Sequence, residues 1–165
     1  MKKIALLITL SLIFNCNGNA QKKKEKTEEK KTYKVSKPDE EWKAQLSNME
    51  YYVLRQKGTE RATTGIYNKF YEEGTYVCAA CGTKLYESEY KYDSGSGWPA
   101  FDRGYDENIE YKIDTSLGMT RTEVLCASCG GHLGHVFDDG PRNTTGKRHC
   151  VNSVSLNFIP AKNEN

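Results

Sequence analysis

The first apolar segment of the chain is short and lies at its N-terminal end. Lys2 and Lys3 precede an almost unbroken apolar run, Ile4 to Phe14. A basic pair before a run of this length is typical of a secretory signal peptide, and the run is too short for a stable membrane span. We therefore predict that residues 1–20 direct export to the bacterial periplasm or cell envelope.

Two processing routes fit this segment. Gly18 and Ala20 place small residues before Gln21, as signal-peptide cleavage requires. Cys16 instead resembles the lipid-modified cysteine of a bacterial lipoprotein, although Asn15 is unusual before such a cysteine. The sequence leaves open both cleavage before Gln21 and lipid anchoring to the membrane at Cys16.

Residues 21–37 are polar and strongly basic. Eight lysines and three glutamates stand against only two apolar side chains, Tyr33 and Val35. Such a segment buries too little surface to offset its ordering entropy, so we predict a flexible tether. Residues 1–37 hold ten basic and three acidic residues, a net charge of +7. Since the whole chain has a net charge of +2, residues 38–165 carry a net charge of −5. An acidic domain argues against nucleic acid as a partner.

Two short helices are predicted where the folded part begins. Ser36, with Asp39 three residues later, is typical of a helix start, and Ser47 with Glu50 forms a second capping-box pair. The second helix should end near Gly58. Apolar residues recur at helical spacing in this region: Trp42, Leu46, Met49 and Leu54.

The rest of the chain has the pattern of strands. Short segments after Gly65 alternate or are rich in β-branched and aromatic residues, and Gly-rich turns separate them. Examples of these segments are Thr75–Val77, Glu110–Ile113, Thr120–Leu125 and Ser153–Phe158. We predict a mainly β fold, an antiparallel domain over residues 38–160 with short N-terminal helices, followed by a disordered tail, 161–165. Nothing in the pattern indicates an assembly, so we expect a monomer.

Four of the six cysteines form two matched knuckles. Cys78 and Cys81, like Cys126 and Cys129, are spaced CxxC and followed by glycine. Four thiolates can close a tetrahedral zinc site with no open position, so the predicted zinc is structural, one per chain. A disulfide within each knuckle, or a thioredoxin-like redox pair, remains an alternative.

Cys150 has no cysteine nearby in the sequence. Arg148 and His149 precede it, and cationic neighbours lower the pKa of a thiol. His132, His135 and His149, the three histidines of the chain, fall within 18 residues. This clustering favours a nucleophilic cysteine with histidine proton donors over an inert buried cysteine.

The segment Asp93–Phe101 is a loop by its Gly, Ser and Pro content. It presents Trp98, whose indole either caps the core or forms a flat apolar wall for a methyl or thioether group.

Together these motifs are similar to the methionine-R-sulfoxide reductase (B type) family, over residues 38–160. The segments that carry the resemblance are Ser94–Pro99, Gly118–Val124, Cys126–Cys129, His132–Phe137, Asp139–Pro141, Thr145–Gly146 and Arg148–Leu156. The resemblance implies two antiparallel sheets stapled by a structural zinc at Cys78, Cys81, Cys126 and Cys129. It also implies reduction of methionine-R-sulfoxide, free or in oxidised proteins, by a thioredoxin-like reductant.

The resemblance also implies residue roles. Cys150 would attack the sulfoxide sulfur, and His135, assisted by His132, would bind and help protonate the oxygen. Asn152 and Arg148 would orient this network and support the thiolate. The substrate methyl would contact two aromatic residues, Trp98 and Phe101.

Two positions depart from the family pattern. His149 replaces the usual tyrosine or phenylalanine beside the nucleophile. Ser96 replaces the resolving cysteine of many members, so the sulfenic acid on Cys150 would need an external thiol. Two alternative hypotheses remain. One is a zinc-ribbon-type binding module without catalysis, and the other is an enzyme of this fold that acts on another thiol adduct.

Overall fold

A computed structural model describes residues 31–162. The predicted signal peptide, Cys16, the first ten residues of the predicted tether and the last three residues lie outside that range, so export and lipidation stay predictions. Within residues 31–162, no helix is both long and apolar enough to cross a membrane.

Two short helices lead into the domain, α1 (Asp39–Gln45) and α2 (Asn48–Leu54). The predicted capping box of α2 is confirmed: the Ser47 hydroxyl accepts from the Glu50 N–H (3.3 Å) and the Glu50 carboxylate accepts from the Ser47 N–H (2.8 Å). Ser36 does not cap α1. The residue before that helix is Pro38, which offers no side-chain acceptor.

The rest of the described chain is mainly β, as predicted. Nine strands follow the helices: β1 (Gly74–Cys78), β2 (Lys84–Glu87), β3 (Lys91–Tyr92), β4 (Ala100–Phe101), β5 (Ile109–Asp114), β6 (Arg121–Cys126), β7 (His132–Phe137), β8 (Arg148–Val151) and β9 (Leu156–Pro160). Of the predicted segment Ser153–Phe158, the first three residues form a 3-10 turn, so β9 begins only at Leu156.

The strands form two antiparallel sheets. The three-stranded sheet has the order β2-β1-β9, and the six-stranded sheet has the order β3-β4-β8-β7-β6-β5. In the second sheet β8 lies between β7 and β4, and Cys150 pairs with His135 on one side and with Ala100 on the other. Strands β7 and β8 approach closely at Gly134, where a Cβ would lie 2.0 Å from the carbonyl oxygen of Cys150.

An aromatic cluster joins the two sheets. Tyr76 and Tyr86 of the small sheet and Phe101 of the large one are all fully buried. Tyr86 stacks on Phe101 with ring centroids 4.3 Å apart, and Tyr76 meets the same ring edge-on at 5.1 Å. This cluster, with Trp42 and Leu54 from the helices, forms the core.

Residues 31–37, the described part of the predicted tether, contact the domain. The N–H of Val35 donates to the carbonyl of Ser128 (2.8 Å), and Lys31 pairs with Glu110 (2.8 Å). Tyr33 lies so close to Gly130 that a Cβ there would stand 2.4 Å from its ring.

Candidate active site and metal centre

The four knuckle cysteines converge at one point between the sheets. Their sulfur atoms all lie within 4.8 Å of one another. The closest approaches join the two knuckles: Cys78 to Cys129 at 3.7 Å, and Cys81 to Cys126 at 3.6 Å. The cluster therefore connects the β1–β2 turn of one sheet to the β6–β7 turn of the other.

The cluster has the dimensions of a zinc site. Four sulfurs about 2.3 Å from a tetrahedral zinc are about 3.8 Å apart, close to the distances found here. A disulfide would bring two sulfurs to about 2.0 Å, and all four of these cysteines are free. The group can hold a metal ion, and its four-thiolate donor set is one that zinc favours.

Cys150 lies in the middle of β8 and faces a cavity of about 140 Å³. Side chains alternate along a strand, so Arg148 shares the face of Cys150 while His149 points to the opposite face. The residues lining the cavity are Thr59, Trp98, Arg121, His135, Phe137, Cys150, Val151 and Asn152.

The Cys150 thiol is half-buried, with polar groups on one side. Burial raises the pKa of the thiol, while the Ser96 hydroxyl and the Arg148 guanidinium oppose that shift. The Ser96 Oγ lies 3.7 Å from the Sγ. Arg148 is fixed by a bidentate pair with Asp139, both contacts 2.8 Å.

His135 is held in place by an acidic residue across the sheet. Its Nε2 lies 2.9 Å from the Asp114 carboxylate, which also accepts from Arg121 at 2.6 Å. Hydrogen bonds from Ser116, His135 and Arg121 keep the pKa of Asp114 well below its usual range. Burial lowers the pKa of His135, and Asp114 opposes this effect. Since a carboxylate only accepts, Nε2 carries the proton and Nδ1 is left for other partners.

A bulge brings the second histidine to the same face. Residues three apart on a regular strand point to opposite faces, but β7 carries an extra residue at Leu133. The rings of His132 and His135 consequently lie 5.4 Å apart. His132 donates from Nδ1 to Glu123 (2.8 Å), whose other oxygen pairs with Lys57 (2.7 Å).

Glu60 braces two walls of the cavity. Its carboxylate accepts from the N–H groups of Ser153 (2.6 Å) and Val154 (3.1 Å). Its own N–H donates to the Asn152 side chain (3.0 Å), and its carbonyl accepts from the Trp98 indole (3.1 Å). Glu60 is 4% exposed, so these bonds are shielded from water.

Comparison with known proteins adds an independent finding. A SelR domain family model matches residues 46–160. The chain is similar to the peptide methionine sulfoxide reductase MsrB of Leptospira interrogans, 56% identical over 127 residues, which is 76% of this chain and 96% of that protein. It is also similar to the mitochondrial methionine-R-sulfoxide reductase B3 of Mus musculus, 52% identical over 134 residues, which is 81% of this chain and 53% of that protein.

The chain belongs to the methionine-R-sulfoxide reductase B family. The predicted family is thus confirmed, and the chain is an oxidoreductase of the methionine sulfoxide reductase class. A zinc-ribbon-type module without catalysis does not explain a match of this extent.

Most of the sequence-predicted site residues of this reductase domain come together. Cys150, His135, Asn152 and Trp98 line one cavity; the His132 ring lies 5.4 Å from that of His135, and Arg148 acts on the Cys150 thiol by its charge. The structure does not bring Phe101 there. Phe101 pairs with His149 in the sheet and shares its face, so it lies in the core on the far side from Cys150.

His149 is not a cationic neighbour of the thiol. It is 3% exposed, and its two ring nitrogens lie 3.3 Å and 3.4 Å from the hydroxyls of Tyr86 and Tyr111. Burial lowers the pKa of His149 to about 4, so the ring is neutral at pH 7. The expectation that His149 lowers the pKa of the Cys150 thiol is therefore wrong for this residue.

This burial predicts a pH-dependent stability. The pKa of His149 is about 4 when folded and about 6.5 in an unfolded chain. The unfolded state therefore binds the extra proton first as the pH falls. Stability of about 3 kcal/mol, fully present above pH 6.5, is lost on acidification towards pH 4. His149→Phe should lack this loss, as denaturant unfolding of both proteins at pH 7 and pH 4.5 will show. Parallel pH dependence in the two proteins would contradict the assignment.

Several residues of the site were given no role from the sequence, although three of them, Arg121, Glu123 and Phe137, lie within the segments that carry the resemblance. Thr59, Arg121 and Phe137 line the cavity, and Glu60, Asp114 and Glu123 hold its side chains. Strand register would have indicated some of these contacts, because it pairs Asp114 with Arg121, Glu123 with His135, and Phe137 with Arg148. Glu60 lies in a loop far from its partners in sequence, and no pattern points to it.

Proposed function

We propose that this protein reduces the R epimer of methionine sulfoxide, free or in oxidised proteins, through Cys150. The observation that carries the proposal is the position of Cys150. It is the free thiol of the described chain that stands outside the metal cluster, and it faces a cavity shared with Trp98 and His135. The relatives named above, a peptide methionine sulfoxide reductase and a methionine-R-sulfoxide reductase, support the same substrate for this chain.

The residues supply what sulfoxide reduction needs. The Cys150 thiolate attacks the sulfoxide sulfur, the oxygen takes up a proton, and methionine leaves with Cys150 oxidised to the sulfenic acid. His135, anchored through Nε2 by Asp114 and backed by His132, binds the oxygen and assists its protonation through Nδ1 once that nitrogen has also taken up a proton. Arg148 supports the thiolate by its charge.

Trp98 provides the seat for the substrate methyl. Its indole N–H is fixed to the Glu60 carbonyl, which sets the orientation of the ring at the cavity wall. Both polar atoms of the Asn152 side chain form hydrogen bonds within the protein. The oxygen accepts from the Glu60 N–H, and the nitrogen donates to the Leu133 carbonyl (3.0 Å). Asn152 therefore ties the end of β8 to β7, which carries the histidines.

The sulfenic acid on Cys150 is reduced by an external thiol. Ser96 lies 3.7 Å from the Cys150 sulfur, and the other cysteines of the described chain belong to the metal cluster. A thioredoxin-like protein supplies that thiol in this proposal. Zinc, held by Cys78, Cys81, Cys126 and Cys129, would fix the turns that precede β2 and β7 without taking part in the reaction.

A single-turnover experiment tests both the substrate and the recycling route. The reduced protein, mixed with a peptide carrying the R epimer and no reductant, should yield one methionine per Cys150 and gain one oxygen by intact mass. The S epimer should give neither product. Failure to consume the R epimer would overturn the proposed function.

Ser96→Cys is the matched variant for the recycling route. The new thiol would stand beside Cys150, where Ser96 Oγ now lies at 3.7 Å. We expect the oxidised variant to lose two hydrogens through a disulfide instead of retaining the oxygen. A wild-type protein that also loses two hydrogens would refute external resolution.

A further inference from the structure

A second cavity lies beside Ser96, the residue whose hydroxyl is 3.7 Å from the Cys150 sulfur. It is a polar cleft of about 430 Å³, walled by residues 93–96 on one side and 139–141 on the other. Tyr92 and Arg148 complete its lining. We call it the Ser96 cleft, because Ser96 both lines it and lies 3.7 Å from the Cys150 sulfur.

The order of the strands places His135 and the loop that carries Ser96 next to different neighbours of β8. Strand β8 has β7, with His135 directly across from Cys150, on one side. On its other side it has β4, whose preceding loop carries Ser96. His135, which the proposed function assigns to the substrate oxygen, and Ser96 therefore belong to opposite neighbours of the strand that carries Cys150.

The cleft offers hydrogen-bond donors that an anionic sulfur can use. Ser94 and Ser96 hydroxyls are linked at 2.8 Å, and this pair leads to the Cys150 sulfur. The Tyr92 hydroxyl is buried and finds no hydrogen-bond partner among the described residues. The Arg148 guanidinium adds a positive charge to the same wall.

The acidic groups of the cleft are already compensated. Asp139 is engaged by Arg148 through both oxygens. Asp93 pairs with Lys69 and accepts from the N–H of Gly95. These pairings leave the hydroxyls as the polar groups that an entering anion would meet.

We propose that the external thiolate that recycles Cys150 enters through the Ser96 cleft and not through the substrate cavity. The inference rests on the proposed function. Displacement at a sulfenic sulfur proceeds with nucleophile, sulfur and leaving oxygen in line. Since the oxygen faces His135 after the first step, the open face of the sulfur is the one toward Ser96.

An external dithiol is the one reductant that this step needs. The entering thiolate forms a sulfur–sulfur bond to Cys150, the sulfur–oxygen bond breaks, and the oxygen leaves as water after taking up a proton. A second thiolate then attacks the mixed disulfide, which releases the Cys150 thiolate and an oxidised disulfide of the reductant. Small dithiols and protein dithiols share this chemistry.

Ser94→Trp, which fills the cleft, tests the route. With dithiothreitol at limiting concentration, we expect the recycling rate per unit of thiol to fall about tenfold, since access limits thiol exchange. The single-turnover yield of methionine should stay at that of the wild type. An unchanged recycling rate would overturn the proposal, whereas loss of the single turnover in the wild type would overturn the proposed function instead.

Three further arms complete the experiment. Ser94→Ala removes the hydrogen bond without filling the cleft and should recycle at nearly the wild-type rate. Pro141→Trp fills the cleft from the opposite wall and should reproduce the defect, which guards against misfolding of the first variant. Thioredoxin in place of dithiothreitol should be slowed as well; normal recycling by thioredoxin would overturn the proposal for protein dithiols.

Discussion

Replacing Cys150 by serine should abolish sulfoxide reduction, with a loss on the order of 1,000-fold or more, because a neutral hydroxyl is a far weaker nucleophile than a thiolate. Multiple-turnover reduction of an R-sulfoxide peptide with dithiothreitol measures this effect. The substitution exchanges one atom at a half-buried position, so folding should be preserved.

The metal content is the internal control for that variant. Cys150 is not a member of the four-cysteine cluster, so Cys150→Ser should retain zinc and unfold at the wild-type denaturant concentration. Retained activity in a variant with normal zinc content would show that Cys150 is not the nucleophile and that the reaction in this cavity proceeds by another mechanism.

Cys126→Ser should have the largest effect on folding. Cys126 is fully buried at the end of β6, and its sulfur lies 3.6 Å from that of Cys81 in the other knuckle. Structural zinc sites contribute about 10–16 kcal/mol in small zinc-binding peptides. A native domain is stable by only about 5–15 kcal/mol. We therefore expect the variant to be largely unfolded at 25 °C.

Zinc analysis and near-ultraviolet circular dichroism of the purified variant measure that outcome. Cys150→Ser serves as the matched control, since it also removes one thiol but leaves the cluster intact. A folded Cys126→Ser protein with wild-type thermal stability would show that the cluster does not staple the sheets. Purification of the wild-type protein with no metal and with two disulfides would also show that a metal cluster does not hold the sheets together.

The sequence predicted the class of fold because local patterns carry it. Capping at Ser47, strand-forming segments and two CxxC knuckles are each readable within a few residues. Strands β2, β3, β4, β7 and β8 were not among the predicted segments; β3 and β4 have only two residues each, too few to show a period. The start of β9 was placed three residues early because the β-branched Val154 lies in a 3-10 turn.

The candidate site was predictable where chemistry demands a particular residue. Cys150, His135 and Trp98 belong to rare residue types and stand in distinctive contexts. The Phe101 assignment failed for a geometric reason, since only strand register reveals that Phe101 shares the face of His149. The register also explains the misjudged charge at His149, which points into the core. Glu60 depends on contacts about 40 and 90 residues away along the chain, which no local pattern encodes.

The brace at Glu60 has a stereochemical consequence. A sulfoxide sulfur is a stereocentre, so an enzyme distinguishes its two epimers only if three contact points keep a fixed handedness: the methyl seat, the oxygen donors and the attacking sulfur. Glu60 binds the indole of Trp98 and the residues that follow Cys150, so in the proposed mechanism one buried residue connects the methyl site to the attacking sulfur. The handedness of the proposed reaction would then depend on a residue that contacts none of the reacting atoms.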